Sequence, residues 1–230
     1  MDVTVETDRL IEELTRQAKP VRRLSPPLRR ACLWLLGAVV VIAATAAFHG
    51  LNEAHGFHHM WAKLVETKLA LQILASLASG VTAIVAAFMI SLPDRSPNWS
   101  LLPLPALALW ALSIGYGCLT DWIERGPDGF KLGTSFGCFL TIVGTSVPLG
   151  LLLGWALRYA TAFRPLETMT MGALGVAALS ATGLSFYHEL DATIMILLWH
   201  GGSTLIVILM TRLIGARLLQ RTARPVRGQA

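Results

Sequence analysis

Ser146 and His200 are the pair in this sequence best placed for nucleophilic catalysis. A serine becomes a useful nucleophile only when an imidazole within hydrogen-bond reach can take its proton. Gly144-Thr145-Ser146 lies in one apolar stretch and His200 in another, at broadly comparable depth if both stretches are helices rising about 1.5 Å per residue. A second constellation comprises His49, His55, His58, His59 and His188 with Glu53, Glu189 and Asp191, groups able to ligate zinc or copper or to titrate near neutral pH. A third is the set of cysteines, Cys32, Cys118 and Cys138, which lack the Cys-x-x-Cys spacing of a structural zinc site. Each has a plainer account, and we prefer it. His200, after Trp199, reads as a structural histidine bonded to a neighbouring helix, and His-x-x-His-His reads as a solvated loop. No catalytic residue, cofactor or metal ligand is assigned.

The elements that must position these residues are six apolar stretches, at 31–48, 69–91, 101–119, 133–157, 169–186 and 192–214. Each approaches the roughly 20 residues that span a hydrocarbon core, and none carries a charge deep inside. Lipid offers the backbone no hydrogen-bond partner, so the stretches should be helices, and short connections favour an antiparallel up-and-down bundle. The expected fold is an all-α integral membrane protein with six transmembrane helices, preceded by a short cytoplasmic amphipathic helix. A composition of 54% hydrophobic and 14% charged residues agrees, because a soluble chain of 230 residues would expose too much apolar surface. Only Lys63, Lys68, Arg125 and Lys131 fall on one side, and the other fifteen of the 19 Lys and Arg fall opposite. The positive-inside rule therefore puts both termini in the cytoplasm. The net charge of +5 sits at helix ends facing anionic head groups, so direct nucleic-acid binding is not expected. Gly133 with Gly137, and Gly150 with Gly154, have the spacing that lets membrane helices approach closely. Pro103 and Pro105 fit a helix's first turn, and Pro148 falls mid-span.

Three regions follow: a cytoplasmic tail at 1–30, a membrane domain at 31–214 and a basic cytoplasmic tail at 215–230. The first tail is split by charge. Asp2, Glu6, Asp8, Glu12 and Glu13 precede residue 15 with Arg9 alone against them, whereas 15–30 holds six basic residues and no acid. From Thr7 to Ala18 the pattern predicts a helix, capped by Thr7 and stopped before Pro20, with Ile11, Leu14 and Ala18 on one face, Leu10 beside them, and Glu12 four residues before Arg16. Twelve residues are marginal as a lone helix in water, so this segment should order against something else. Its acidity disfavours anionic lipid and favours a basic protein partner.

Pro20-Val21-Arg22-Arg23-Leu24 with Pro26-Pro27, Leu102-Pro103-Leu104-Pro105, Gly115-Tyr116-Gly117-Cys118, Ser135-Phe136-Gly137-Cys138 and Trp199-His200 stand in an order that resembles the NrsF-type polytopic anti-sigma factors of proteobacteria. The resemblance spans nearly the whole chain. It implies an inner-membrane regulator, not an enzyme, that sequesters an extracytoplasmic-function sigma factor and releases it on an external or envelope signal. By that likeness Leu10, Ile11, Glu12, Glu13 and Leu14 form the partner-binding element. The family commonly has a cysteine before the last helix, available to the one that Cys138 matches. This chain has Phe186-Tyr187-His188-Glu189 there. Cys118 and Cys138, at outer helix ends, remain as a redox pair, provided their Cα atoms come within about 7 Å; the plainer account is that both are small membrane residues.

The Gly-x-Ser and His200 also resemble rhomboid-type intramembrane serine proteases, but Val147 and Pro148 follow the serine and the second stretch offers no oxyanion donor. A small transporter or metal-responsive membrane protein is a further alternative, weakened because His200 is the only ionisable group expected near the midplane. The sequence leaves the sigma factor, the signal and the oligomeric state open.

Overall fold

The computed structural model describes residues 3–17, 24–52, 67–126, 136–158 and 164–187, with Gly202, Leu205, Ile206 and Leu209 beyond them. The described elements are all helical: α1 Val3–Gln17, α2 Pro27–Asn52, α3 Thr67–Ile90, a 3-10 turn at Pro97–Leu101, α4 Leu104–Arg125, α5 Phe136–Leu157 and α6 Pro165–Tyr187. Four segments are long and apolar enough to cross a membrane: Pro27–Phe48, Ala70–Ile90, Pro97–Glu124 and Pro165–Ser185. Gly144–Leu157 is a shorter apolar helix. The chain thus reads as a membrane protein. The sixth expected stretch lies outside the described residues apart from the four isolated positions, which are helical.

Helix ends follow local chemistry. Pro27 and Pro165 open α2 and α6, where a missing N–H costs nothing. Pro103 stands immediately before α4 and Pro105 in its first turn, as expected. Ser96 caps the 3-10 turn by accepting from the Asn98 amide at 3.2 Å. Gly126 ends α4 at φ 57°, a conformation natural to glycine. The helix reaches Arg125, beyond the expected end at Leu119, because polar residues continue it past its apolar part.

The core is built around α3 and α6. Ser76 meets Thr182, Gly80 meets Leu179 and Gly175 meets Ile84. Rising numbers on one helix meet falling numbers on the other, so the two run in opposite directions. Ala31, Trp34 and Ala38 of α2, Ile84 and Phe88 of α3, Leu149, Leu153 and Leu157 of α5, and Val176 and Leu179 of α6 form the larger cluster. A smaller cluster joins Ala75, Trp110, Ile114, Ala178 and Ala181, and fixes α4 against the α3–α6 pair.

Glycine governs how closely these helices approach. A Cβ added at Gly175 would stand 2.6 Å from Cγ1 and Cδ1 of Ile84 and 3.1 Å from its backbone nitrogen, and one at Gly80 would stand 2.7 Å from Leu179 Cγ. Among the described residues, a Cβ at either member of the expected pair Gly150 and Gly154 meets nothing within 4 Å. The reason is rotational: α5 packs through Leu149, Leu153 and Leu157, and each of those two glycines is turned one residue away from that stripe. Gly133 lies outside the described residues.

Midway along the bundle, hydroxyls find partners on their own helix or a neighbouring one. Ser79 donates to the Ala75 carbonyl at 2.7 Å and Ser185 to that of Ala181 at 2.9 Å. Ser76 and Thr182 join across the α3–α6 contact at 2.8 Å, and Ser146 donates to Ser180 across α5–α6 at 3.0 Å.

Candidate functional site

Helix α1 is where sequence and geometry converge on a partner. It runs over Val3–Gln17, four residues earlier than expected at its start, and so Thr7 lies within the helix and does not cap it. Val3–Glu6 extends it because nothing before Asp8 breaks the helix, while Glu6 and Asp8 near its positive end and Arg16 in its last turn complement the macrodipole. Glu12 and Arg16 approach at 3.8 Å, but both side chains are largely exposed and such a pair is worth little. Gln17 Nε2 donates to Glu13 Oε1 at 3.3 Å, and Thr15 to the Ile11 carbonyl at 2.7 Å.

The apolar side chains of α1 are bare: Leu10 and Ile11 are each 56% exposed and Leu14 is 60% exposed. None of the principal helix packings among the described residues involves α1. A three-residue apolar face open to water, flanked by Glu12 and Glu13, can dock into a groove with an apolar floor and a basic rim.

The other sequence-selected residues divide in two. Ser146 sits on α5, its hydroxyl bonded to Ser180 and so occupied in packing. Trp199, His200 and His188 lie outside the described residues, as do His55, His58 and His59. Among the described residues no group of three metal-ligating side chains occurs. Cys138 lies in the first turn of α5, whereas Cys118, expected at a helix end, lies about two turns inside α4 because that helix continues to Arg125; the side chains of both fall outside what the structure describes. Cys32 is a free, exposed thiol near the start of α2.

The sequence reading passed over Arg30. Its Nη2 donates to the Ala156 carbonyl near the end of α5, and its guanidinium stacks on Phe88 with 5.3 Å from Cζ to the ring centroid. The side chain thereby ties the start of α2 to the ends of α3 and α5. A usable signal was present: Pro26-Pro27 starts a helix at Pro27, which puts Arg30 in the first turn of the membrane helix and not in the tail. Nearby, Arg164 Nη1 donates to the Arg95 carbonyl at 2.8 Å, joining the α3–α4 connection to the start of α6.

Comparison with known proteins gives one finding. The family described as NrsF, negative regulator of sigma F, matches residues 14–220. No curated protein and no solved structure matches the chain. The matched region takes in all the described helices from α2 onward and begins at Leu14, so Leu10, Ile11, Glu12 and Glu13 precede it.

Proposed function

This chain belongs to the NrsF family of negative regulators of sigma F, and from that premise we propose that it is a bacterial inner-membrane anti-sigma factor whose α1 sequesters an extracytoplasmic-function sigma factor. The observation that carries the reading is the bare apolar face of Leu10, Ile11 and Leu14 on a helix that makes none of the principal packings among the described residues. Because the family match begins at Leu14, the assignment of α1 rests on its own geometry. In this reading six spans form an antiparallel bundle with both termini in the cytoplasm, and the protein acts without catalysis. Its logic is competition. The helix must bind sigma more tightly than polymerase does in one state of the bundle and less tightly in the other, and a difference of a few kcal/mol between the states suffices. Cys118 and Cys138 are the candidates for a redox input from outside.

Co-purification of the detergent-solubilised full chain tests the partner: a sigma factor should be retained, and its absence under repressing conditions overturns the reading. Topology is tested separately. Reporter fusions after Gly56, Gly129 and Glu189 should report the outer compartment, and those at Asp94, Phe163 and Gln229 the cytoplasm. A cytoplasmic signal at any of the first three would deny the tail access to its partner in the proposed orientation.

A further inference from the structure

We propose that the end of the bundle where α2 begins carries a binding site for a tetrahedral oxyanion, the head-group phosphate of an anionic lipid, built by Arg30, Trp34 and Thr168 around the last turn of α3. Among the described residues, three buried side-chain polar atoms lack a hydrogen-bond partner: Arg30 Nη1, Trp34 Nε1 and Thr168 Oγ1. All three belong to this one end. Arg30 stacks on Phe88, and Trp34, one turn further along α2, packs in the same cluster as Phe88. Thr168 extends the stripe of Gly172, Gly175 and Leu179 on α6, and the α3–α6 pairing places it level with Ser91. Trp34 is 3% exposed and Thr168 fully buried, while Arg30 is partly exposed. Deeper in the bundle, Ser76, Ser79, Thr182 and Ser185 all find partners. Unmet polar atoms are therefore peculiar to this end.

The chemistry of the three atoms selects the ligand. A guanidinium N–H and an indole N–H donate only, and a hydroxyl can join them as a third donor. No carboxylate among the described residues pairs with Arg30, so the complement is an anion with several acceptor oxygens. The site also adjoins an apolar face of α2, where Leu33, Leu36, Val39 and Val40 are exposed. An acyl chain can lie along that face while its phosphate reaches Arg30, an arrangement that a free phosphate or a protein carboxylate would leave unused. The site is independent of sigma binding by α1, and its test needs no sigma factor.

Native mass spectrometry and thermal melting of the purified full chain, titrated with phosphatidylglycerol, phosphatidylcholine or inorganic phosphate, test the assignment. Phosphatidylglycerol should be retained preferentially and should raise the melting temperature. Trp34→Phe and Thr168→Val each delete one polar atom with little change of shape, and each should weaken phosphatidylglycerol binding about fivefold to tenfold. Arg30→Gln should weaken it by more than about tenfold; should that variant fail to fold, the other two still decide. Inorganic phosphate binding with the same sensitivity to the variants would support the oxyanion site and assign it to the free ion. Phosphatidylglycerol binding equal to that of phosphatidylcholine and unchanged in Trp34→Phe and Thr168→Val would overturn the proposal, leaving the three atoms as packing defects whose removal raises the melting temperature.

Discussion

The full chain carrying Leu10→Asp and Leu14→Asp together should insert and melt as the parent chain does but should no longer retain a sigma factor. Both side chains are exposed on a helix outside the bundle's packing, so the folded membrane domain has nothing to lose by the change. The complex does. Two carboxylates on the docking face would have to be buried without partners, at a cost of several kcal/mol, which lowers affinity by at least about a hundredfold. Deleting residues 1–18 should have the same effect. Both versions are read by co-purification and by derepression of a sigma-dependent reporter. Retention of sigma by either one would remove α1 from the interface and direct attention to the connections containing Arg95 and Arg164.

Gly175→Val should be the most disruptive single substitution within the bundle. The obstacle is Ile84, and part of it is backbone: its nitrogen stands 3.1 Å from the added Cβ, a tight contact that a change of the Ile84 rotamer leaves in place. Overpacking of this kind costs about 1–3 kcal/mol and here forces apart the α3–α6 pair on which both apolar clusters depend. Gly80→Val meets Leu179 in the same way and should behave alike. Gly150→Ala and Gly154→Ala, with no described neighbour within 4 Å, should leave the stability unchanged within about 0.5 kcal/mol. Thermal melts in one detergent compare the four, and equal melting of Gly175→Val and Gly150→Ala would mean that α3 and α6 do not pack as described.

These two predictions draw on different amounts of sequence information. The α1 face was legible because it follows the simplest rule: apolar residues at helical spacing in an otherwise charged segment. The existence of the apolar helices was legible for a similar reason, since lipid leaves the backbone few options. Their partners were not. In a membrane helix apolar residues line every face, so hydrophobic periodicity no longer marks the side that packs. Small residues mark it instead, and spacing alone did not show which glycines do so. Gly150 and Gly154 had the favoured spacing yet meet no described neighbour, whereas Gly80 and Gly175 make the close approach through single glycines on opposing helices. The Thr7 cap failed because an N-cap is read from an abrupt change in pattern, and Val3–Glu6 are helix-compatible residues that blur it. Arg30 looked like one more basic residue of the tail until the helix start at Pro27 placed it against Phe88 and Ala156.

Helix α6 is the most enclosed of the four long apolar segments, with 78% of its span buried, against 22% for α2, and it is also the least hydrophobic of the four. Glycine, serine and threonine suit it to neighbours, not to lipid. That assignment bears on biogenesis. A nascent segment of this composition gains little by leaving the translocon alone, whereas α2 and α3 partition readily on their own. The opposite direction of α3 and its matching glycine and serine suit it as a template, so α6 should enter the bilayer by docking onto a helix already there. Order of synthesis and order of assembly then coincide, and the last described helix to emerge closes the core.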